Sequence, residues 1–352
     1  MIRRFSLGFL LATLLVIQAR AAWPTCEVNR DFFIEANGEW LDNHVFTVCV
    51  LLGEEVQLRV FVPETVVVGS ARDLPARAFY HTPPGQDSSS RWKMREFTWK
   101  APRKPGLYTL TEPELFGING TSDSKHRVNL IVLLPSDSLE DGWLRNFYIG
   151  NYPESKHGFE VPRGFIEVTQ ENKETYISRH FKLADFLCQT SKSFPTYEAL
   201  DMRLVQKLEI LIEKLANETY PCTGLRVLSG FRTPAYNRSR RAARESQHMY
   251  GGASDIIVDE NGDGRMDDLD GDGKITRKDA DVLAKTALAL NYAGIFVGGY
   301  ASYSGRRRRG PFVHVDIRGQ SVTWRGGGRR HIHRHRHRPR RAAVTLPRKT
   351  KH

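Results

Sequence analysis

No Cys-x-x-Cys spacing occurs among the four cysteines, Cys26, Cys49, Cys188 and Cys222. That excludes a zinc site built from cysteine pairs. The chain also lacks an apolar run long enough to cross a bilayer, which takes about 20 residues. The run from Phe5 to Ile17 falls short; with Arg3 and Arg4 before it and Ala19-Arg20-Ala21 after it, it reads as a cleavable export signal over 1–21. No cysteine follows the cleavage point, so lipid attachment there is not expected. Acid is missing from Arg329 to His352, where eight Arg and two Lys supply +10 of the formal +12. The remainder is close to neutral, and neither that balance nor export suits a nucleic-acid-binding protein.

What is present divides by pattern. An even cysteine count in an exported chain suggests disulfides, and four cysteines allow three pairings. Cys26 with Cys49 and Cys188 with Cys222 is the expected set, because each pair then stays within one domain. Over 22–135, short alternating runs such as "HVFTVCVLL", "EVQLRVFV", "GLYTLT" and "RVNLIVLL" are separated by Gly, Pro, Asn and Asp, the mark of antiparallel strands. "FTWKAPRKPGLYTLT" resembles late strands of bacterial immunoglobulin-like modules, which implies a β-sandwich. Residues 136–179, rich in Gly, Pro and aromatics, read as a connector that leads into the second domain or packs across it.

From 180 to 326 the pattern is α+β. Leu204, Val205, Leu208, Leu211, Ile212 and Leu215 recur at helical spacing behind Asp201 as N-cap. "LRVLSG", "GIFVGGY" and "PFVHVDI" read as strands. The low-complexity stretch 327–352 cannot bury enough apolar surface to fold alone and is expected to be disordered.

Catalytic zinc takes three ligands from His, Asp, Glu or Cys and keeps a position for water. In "SQHMYGGASD", His248 and Asp255 flank a glycine pair that permits a tight turn, so the two side chains can converge. A third candidate, His314, lies in the apolar strand "PFVHVDI", where a polar ring needs a partner. Residues i and i+2 of a strand share a face, so Asp316 projects beside His314. Taken alone, such a histidine is more often a hydrogen-bonded core residue.

"SGFRTPAYN", "SQHMYGGASDI" and "FVHVDIRG", in that order, resemble the motif set of the D-alanyl-D-alanine carboxypeptidase and dipeptidase family of zinc peptidases, in its peptidoglycan-directed branch, over about 180–326. The resemblance implies that His248, Asp255 and His314 hold zinc, that Arg232 binds a substrate carboxylate or carbonyl, and that Ser246 helps to position substrate. A structural salt bridge for Arg232 and a turn or cap for Ser246 are the alternatives. Several branches of that family carry a base two or three residues before the last zinc histidine. Here those positions are Phe312 and Pro311, which cannot take a proton. Asp316 is the local substitute, either as general base or as a carboxylate orienting a ligand ring. The implied activity is hydrolysis of amides in peptidoglycan stem peptides or cross-links, by carboxypeptidase or endopeptidase action. The alternative is a non-catalytic zinc- and calcium-containing module that binds the cell envelope, as the signalling domain of Hedgehog proteins, which resembles this fold, acts by binding.

Directly after Asp255, residues 259–281 are crowded with carboxylates. Asp268, Asp270, Asp272, Gly273, Ile275 and Asp279 fall at positions 1, 3, 5, 6, 8 and 12 of an EF-hand-type calcium loop. Asp259, Asn261, Asp263, Asp267 and Asp270 form an overlapping set. Calcium is expected to stiffen this insertion. The basic tail, with "HIHRHRHR", suits anionic envelope polymers or lipid head groups. The export signal implies a periplasmic or secreted protein, not transmembrane after cleavage.

Overall fold

The computed structural model describes residues 33–41, 46–63, 92–111, 114–115, 127–218, 220–305 and 310–324. The export signal, Cys26, the Arg306 to Arg309 run and the basic tail lie outside the described residues.

Among the described residues the N-terminal part has seven strands: β1 (Phe33–Ala36), β2 (Glu39–Leu41), β3 (Thr47–Leu51), β4 (Glu55–Pro63), β5 (Trp92–Lys100), β6 (Gly106–Thr111) and β7 (Arg127–Pro135). Alternation decides their faces. Val56, Leu58, Val60 and Val62 of β4 are buried, while Glu55 and Gln57 between them are exposed. One antiparallel sheet has the order β2-β1-β4-β5. In the other, β7 pairs in parallel with β3 and antiparallel with β6. The buried faces meet in one cluster, in which the β4 residues join Ile34, Val50, Leu110, Val128, Leu130 and Val132. Each such side chain contributes roughly 1.5–3 kcal/mol when fully buried.

The sheet holding β7 does not stop at 135. After a three-strand meander, β8 (Leu139–Glu140), β9 (Trp143–Leu144) and β10 (Phe147–Tyr148), strand β11 (Gly164–Val168) pairs with the end of β7 and with β12 (Thr196–Glu198). Strand therefore occupies part of the expected connector, and the boundaries at 135 and 179 cut through a continuous sheet. The reason is that β7 is used on both sides. Leu130 and Val132 face the N-terminal cluster, whereas Ile131 packs into the core of the C-terminal part.

That second core lies between helices and a sheet of order β13-β14-β16-β15-β17. Its elements are α1 (Met202–Glu218), β13 (Arg226–Ser229), α2 (Pro234–Ser239), β14 (Ala253–Ile257), α3 (Arg277–Tyr292), β15 (Gly299–Tyr303), β16 (Phe312–Asp316) and β17 (Val322–Thr323). Asp201 Oδ1 accepts from Arg203 N at 2.9 Å and starts α1, whose apolar stripe from Leu204 to Leu215 is buried. That stripe, together with Leu283, Ala287 and Leu290 of α3, packs on Ile256, Val313 and Val315 of the sheet. The register pairs Asp255 with His314, Ala301 with His314 and Tyr303 with Phe312. Paired residues share a face and alternate residues change face, so Asp255, His314, Asp316 and Tyr303 lie on the sheet face opposite Val313 and Val315; Phe312 shares that face by register and also touches the edge of the helical core.

The expected Cys188–Cys222 disulfide is not formed. Cys188 belongs to a cluster with Phe165 and Phe231, Cys222 to the helical core, and both are free thiols. Cys188 Sγ lies 3.1 Å from Thr190 Oγ1, and Cys222 Sγ donates to the Gly224 carbonyl at 3.1 Å. Burial pushes the Cys222 thiol up to about 12. Cys49 is also free, so the expected Cys26–Cys49 bridge is absent from the described part, Cys26 itself lying outside it. Among the described residues no helix is long and apolar enough to cross a membrane.

Candidate metal centre

A 3-10 turn at Gln247–Tyr250 carries His248, and Gly251 ends it with φ 72°. A side chain at that left-handed position is strained, and a Cβ there would also lie 2.5 Å from the Ala199 carbonyl oxygen. The chain then enters β14, which brings Asp255 back under His248. β16 supplies His314 from the neighbouring strand. One ligand atom from each of these three residues lies within 4.8 Å of the others.

The separations suit a small cation. His248 Nε2 is 3.1 Å from His314 Nδ1 and 3.3 Å from Asp255 Oδ1, and His314 Nδ1 is 3.1 Å from the same oxygen. Tetrahedral ligands about 2.0–2.1 Å from zinc sit about 3.3 Å from one another. The remaining ring nitrogens are held from behind. His248 Nδ1 donates to the Gly230 carbonyl at 2.7 Å, and His314 Nε2 donates to Asp316 Oδ2 at 3.1 Å. Both tautomers are thereby set with a lone pair facing inward, the usual support for metal-bound imidazoles.

The charges around the three side chains act on each differently. Burial lowers His248, against the pull of Asp255. Burial acts in the same sense on His314, but hydrogen bonds to Asp255 and Asp316 outweigh it and raise that ring. Burial by itself would raise Asp255; His248, His314 and Arg232 reverse this and hold the carboxyl well below its ordinary value. One carboxylate and two imidazoles, all buried, form a donor set that fits Zn2+.

Asp316 does not reach the metal-facing side. It is fully buried across the His314 ring from the cluster and is gripped by Arg318, whose Nε lies 3.0 and 2.9 Å from its oxygens and whose Nη2 also donates. Gly299 N donates to Asp316 Oδ1 at 2.6 Å, and a Cβ on Gly299 would lie 2.6 Å from Asp316 Oδ2. Of the two roles expected for Asp316, this geometry is that of a carboxylate orienting the His314 ring, not of a base on the metal-facing side. Sharing a face is insufficient, because the imidazole stands between the two groups.

Arg232 leans on Asp255. Its Nη2 donates to Asp255 Oδ2 and its Nε to Ser229 Oγ at 2.9 Å, while the side chain stays 19% exposed. The salt-bridge alternative thus describes part of its bonding, and Nη1 has no partner among the described residues. Ser246 precedes the turn, half-buried, and its hydroxyl makes no capping bond. Two contacts are not written in the motifs, and a third was open in the sequence, where 136–179 could lead into the second domain or pack across it. Arg318 grips Asp316, Trp324 packs at 5.1 Å against His314, and the 152–159 segment crosses the metal turn. Tyr152 donates to the Met249 carbonyl at 2.9 Å, and Glu245 accepts from Ser155 Oγ at 3.0 Å and bonds the His157 ring, which holds its carboxyl down to about 2. The aromatics of that segment were the available signal, but their target lies about 90 residues away.

In the acidic stretch, one oxygen from each of Asp268, Asp270 and Asp279 lies within 4.8 Å of the others. Asp272 is instead paired with Lys278 Nζ at 2.9 Å. In the upstream set, Asp259 Oδ2 takes Arg226 Nη1 at 2.7 Å and Gly264 N at 3.0 Å, while its buried Oδ1 has no partner. Asn261 accepts from Asp263 N, Asp263 from Arg265 N, and Asp267 binds Glu260 N and Asn261 Nδ2.

Residues 179–269 match the Peptidase M15 family, zinc peptidases that include D-Ala-D-Ala carboxypeptidases. The matched span contains Arg232, Ser246, His248 and Asp255 and ends before His314. No curated protein and no solved structure matches the chain.

Proposed function

We propose, from the Peptidase M15 match over 179–269, that this protein is a zinc-dependent peptidase acting on amide bonds of peptidoglycan stem peptides or their cross-links. The observation that carries the reading is the convergence of His248, Asp255 and His314 with the outer nitrogen of each histidine already bonded. Zinc, when bound, supplies a Lewis acid and lowers the pKa of water to about 7, giving a nucleophile at neutral pH. The protein's own groups do the rest. Asp316 and the Gly230 carbonyl hold the two imidazoles in place. Arg232 keeps Asp255 ionised and presents Nη1 to a substrate carboxylate or carbonyl, a task suited to its planar fork of donors. The Ser246 hydroxyl, free of capping duty, positions the peptide beside the turn.

Stem peptides end in carboxylates and stay outside the membrane, which suits Arg232 and the export signal, and places the protein in the periplasm or outside the cell. Calcium in the 268–279 loop, an immunoglobulin-like role for the N-terminal sheets as spacer or binding unit, and attraction of the basic tail to anionic envelope polymers or lipid head groups complete the reading. A second reading, a zinc-holding module that binds the envelope without turnover, is favoured by Pro311 and Phe312, which leave no base before His314.

The experiment is mass spectrometry of purified peptidoglycan fragments incubated with the zinc-loaded protein and with His248→Ala. New fragments made only by the wild type support the peptidase, and their masses identify the bond. Intact fragments at one zinc per chain, with retention on sacculi, support the binding module.

A further inference from the structure

We propose that Tyr303 is a catalytic hydrogen-bond donor of this centre, its phenol O–H meeting the substrate carbonyl oxygen as negative charge develops on it. The inference rests on the peptidase reading and adds a residue to it. The register supplies the placement. Ala301 pairs with His314 and Tyr303 with Phe312, so the phenol stands on the sheet face of the metal cluster, one strand over from the ligand histidine. Its ring lies flat on Phe312, with centroids 4.5 Å apart and planes 3° from parallel. A hydrogen-bonding group thus covers the position where Phe312 itself can offer none.

Trp324 fixes the direction of the hydroxyl. Its indole packs against His314 and donates from Nε1 to the Tyr303 oxygen at 2.8 Å, so one side chain spans the distance from metal ligand to phenol. That bond uses an acceptor site on the oxygen and leaves the proton to be donated elsewhere. Among the described residues nothing accepts it. A half-buried phenol whose donor is unused, linked through Trp324 to His314, is set up for an oxygen that arrives with substrate. Burial raises the phenol above its ordinary value, against the Trp324 bond. Fixed donors aimed at a developing oxyanion are among the largest contributions to acyl-transfer catalysis. Tyr303 keeps its proton throughout: water adds to the carbonyl carbon, the amide C–N bond breaks, the proton given up by the water leaves on the amine, and the phenol releases the oxygen as the carbonyl re-forms.

The test compares the full-length, zinc-loaded protein with Tyr303→Phe, which keeps the ring on Phe312 and removes one oxygen. Two readouts are taken: kcat and KM on a stem peptide, and calorimetric affinity for a phosphinate analogue of D-Ala-D-Ala, whose tetrahedral oxyanion imitates the charged oxygen. We expect kcat to fall roughly a hundredfold with KM nearly unchanged, and phosphinate binding to weaken about tenfold or more, at equal zinc content and thermal midpoint. Equal phosphinate affinity and kcat in both proteins would overturn the proposal and leave the peptidase reading standing. Absence of turnover in the wild type, with phosphinate bound more weakly by Tyr303→Phe, would uphold the oxyanion contact and sink the peptidase reading. Phosphinate bound by neither protein, or zinc lost from the variant, would also overturn the assignment of Tyr303.

Discussion

Asp316 shows how a carboxylate can be close to a metal site and yet be kept from its chemistry. His314 donates to one of its oxygens, Arg318 grips both, and Gly299 approaches so closely that only a residue without Cβ fits. Burial alone would raise this carboxyl, but His314 and Arg318 drive it far below the ordinary carboxylate range, the reverse of what a base working near neutrality needs. Asp316→Asn keeps the shape and removes the charge behind His314. Zinc affinity, measured by competition with a chelator, is expected to fall about 10–100-fold, with turnover retained at saturating zinc. Wild-type zinc affinity with turnover abolished would restore the general-base role. The proton acceptor of the reaction is then sought among groups on the open side of the cluster.

The acidic insertion acts at the scale of an element, because it starts a helix. Thr276 caps α3 in a capping box with Asp279, and Asp279 Oδ1 also takes Leu269 N at 2.8 Å. The same carboxylate sits in the oxygen cluster with Asp268 and Asp270. A cation there would join the loop to the first turn of α3 and relieve the repulsion among three carboxylates. Hydrogen exchange of amides over 269–280 is expected to speed up in EGTA and to slow again with millimolar calcium. Identical exchange in the two conditions would remove calcium from the account. α3 also packs on β15 and β16 through the common core.

At the scale of the whole molecule, β7 decides how the two halves behave. Its alternate residues enter different cores, and its end pairs with β11. Polar ties run the same way, with Thr47 Oγ1 donating to the Ile177 carbonyl at 2.7 Å and Asn129 Nδ2 to the Tyr176 carbonyl at 2.8 Å. Separating the halves would expose Ile131 and part of the helical core. Calorimetry of the full chain is therefore expected to give one cooperative unfolding transition, with calorimetric and van't Hoff enthalpies in agreement. Two resolved transitions would show that the halves fold independently and that the shared strand couples them weakly.

Much of this was legible along the chain, because the relevant signals are local. Alternation at 55–62 reads as a strand and is one; the 3.6-residue recurrence from Leu204 to Leu215 reads as a helix and is one. His248, the glycine pair and Asp255 lie close enough in sequence for their residue types to suggest a turn and a metal, and the strand "FVHVD" offers the third candidate ligand. Contacts between distant segments are not written locally. That Cys188 and Cys222 enter different cores, that β7 serves two of them, that Asp316 stands behind an imidazole and that Trp324 links His314 to Tyr303 all follow from strand register and packing. The sequence by itself determined which residues can bind a metal and which segments alternate or spiral. Only the tertiary structure decided which nitrogen of each ring faces the cluster, because that depends on which distant group, the Gly230 carbonyl or the Asp316 carboxylate fixed by Arg318, partners the other nitrogen.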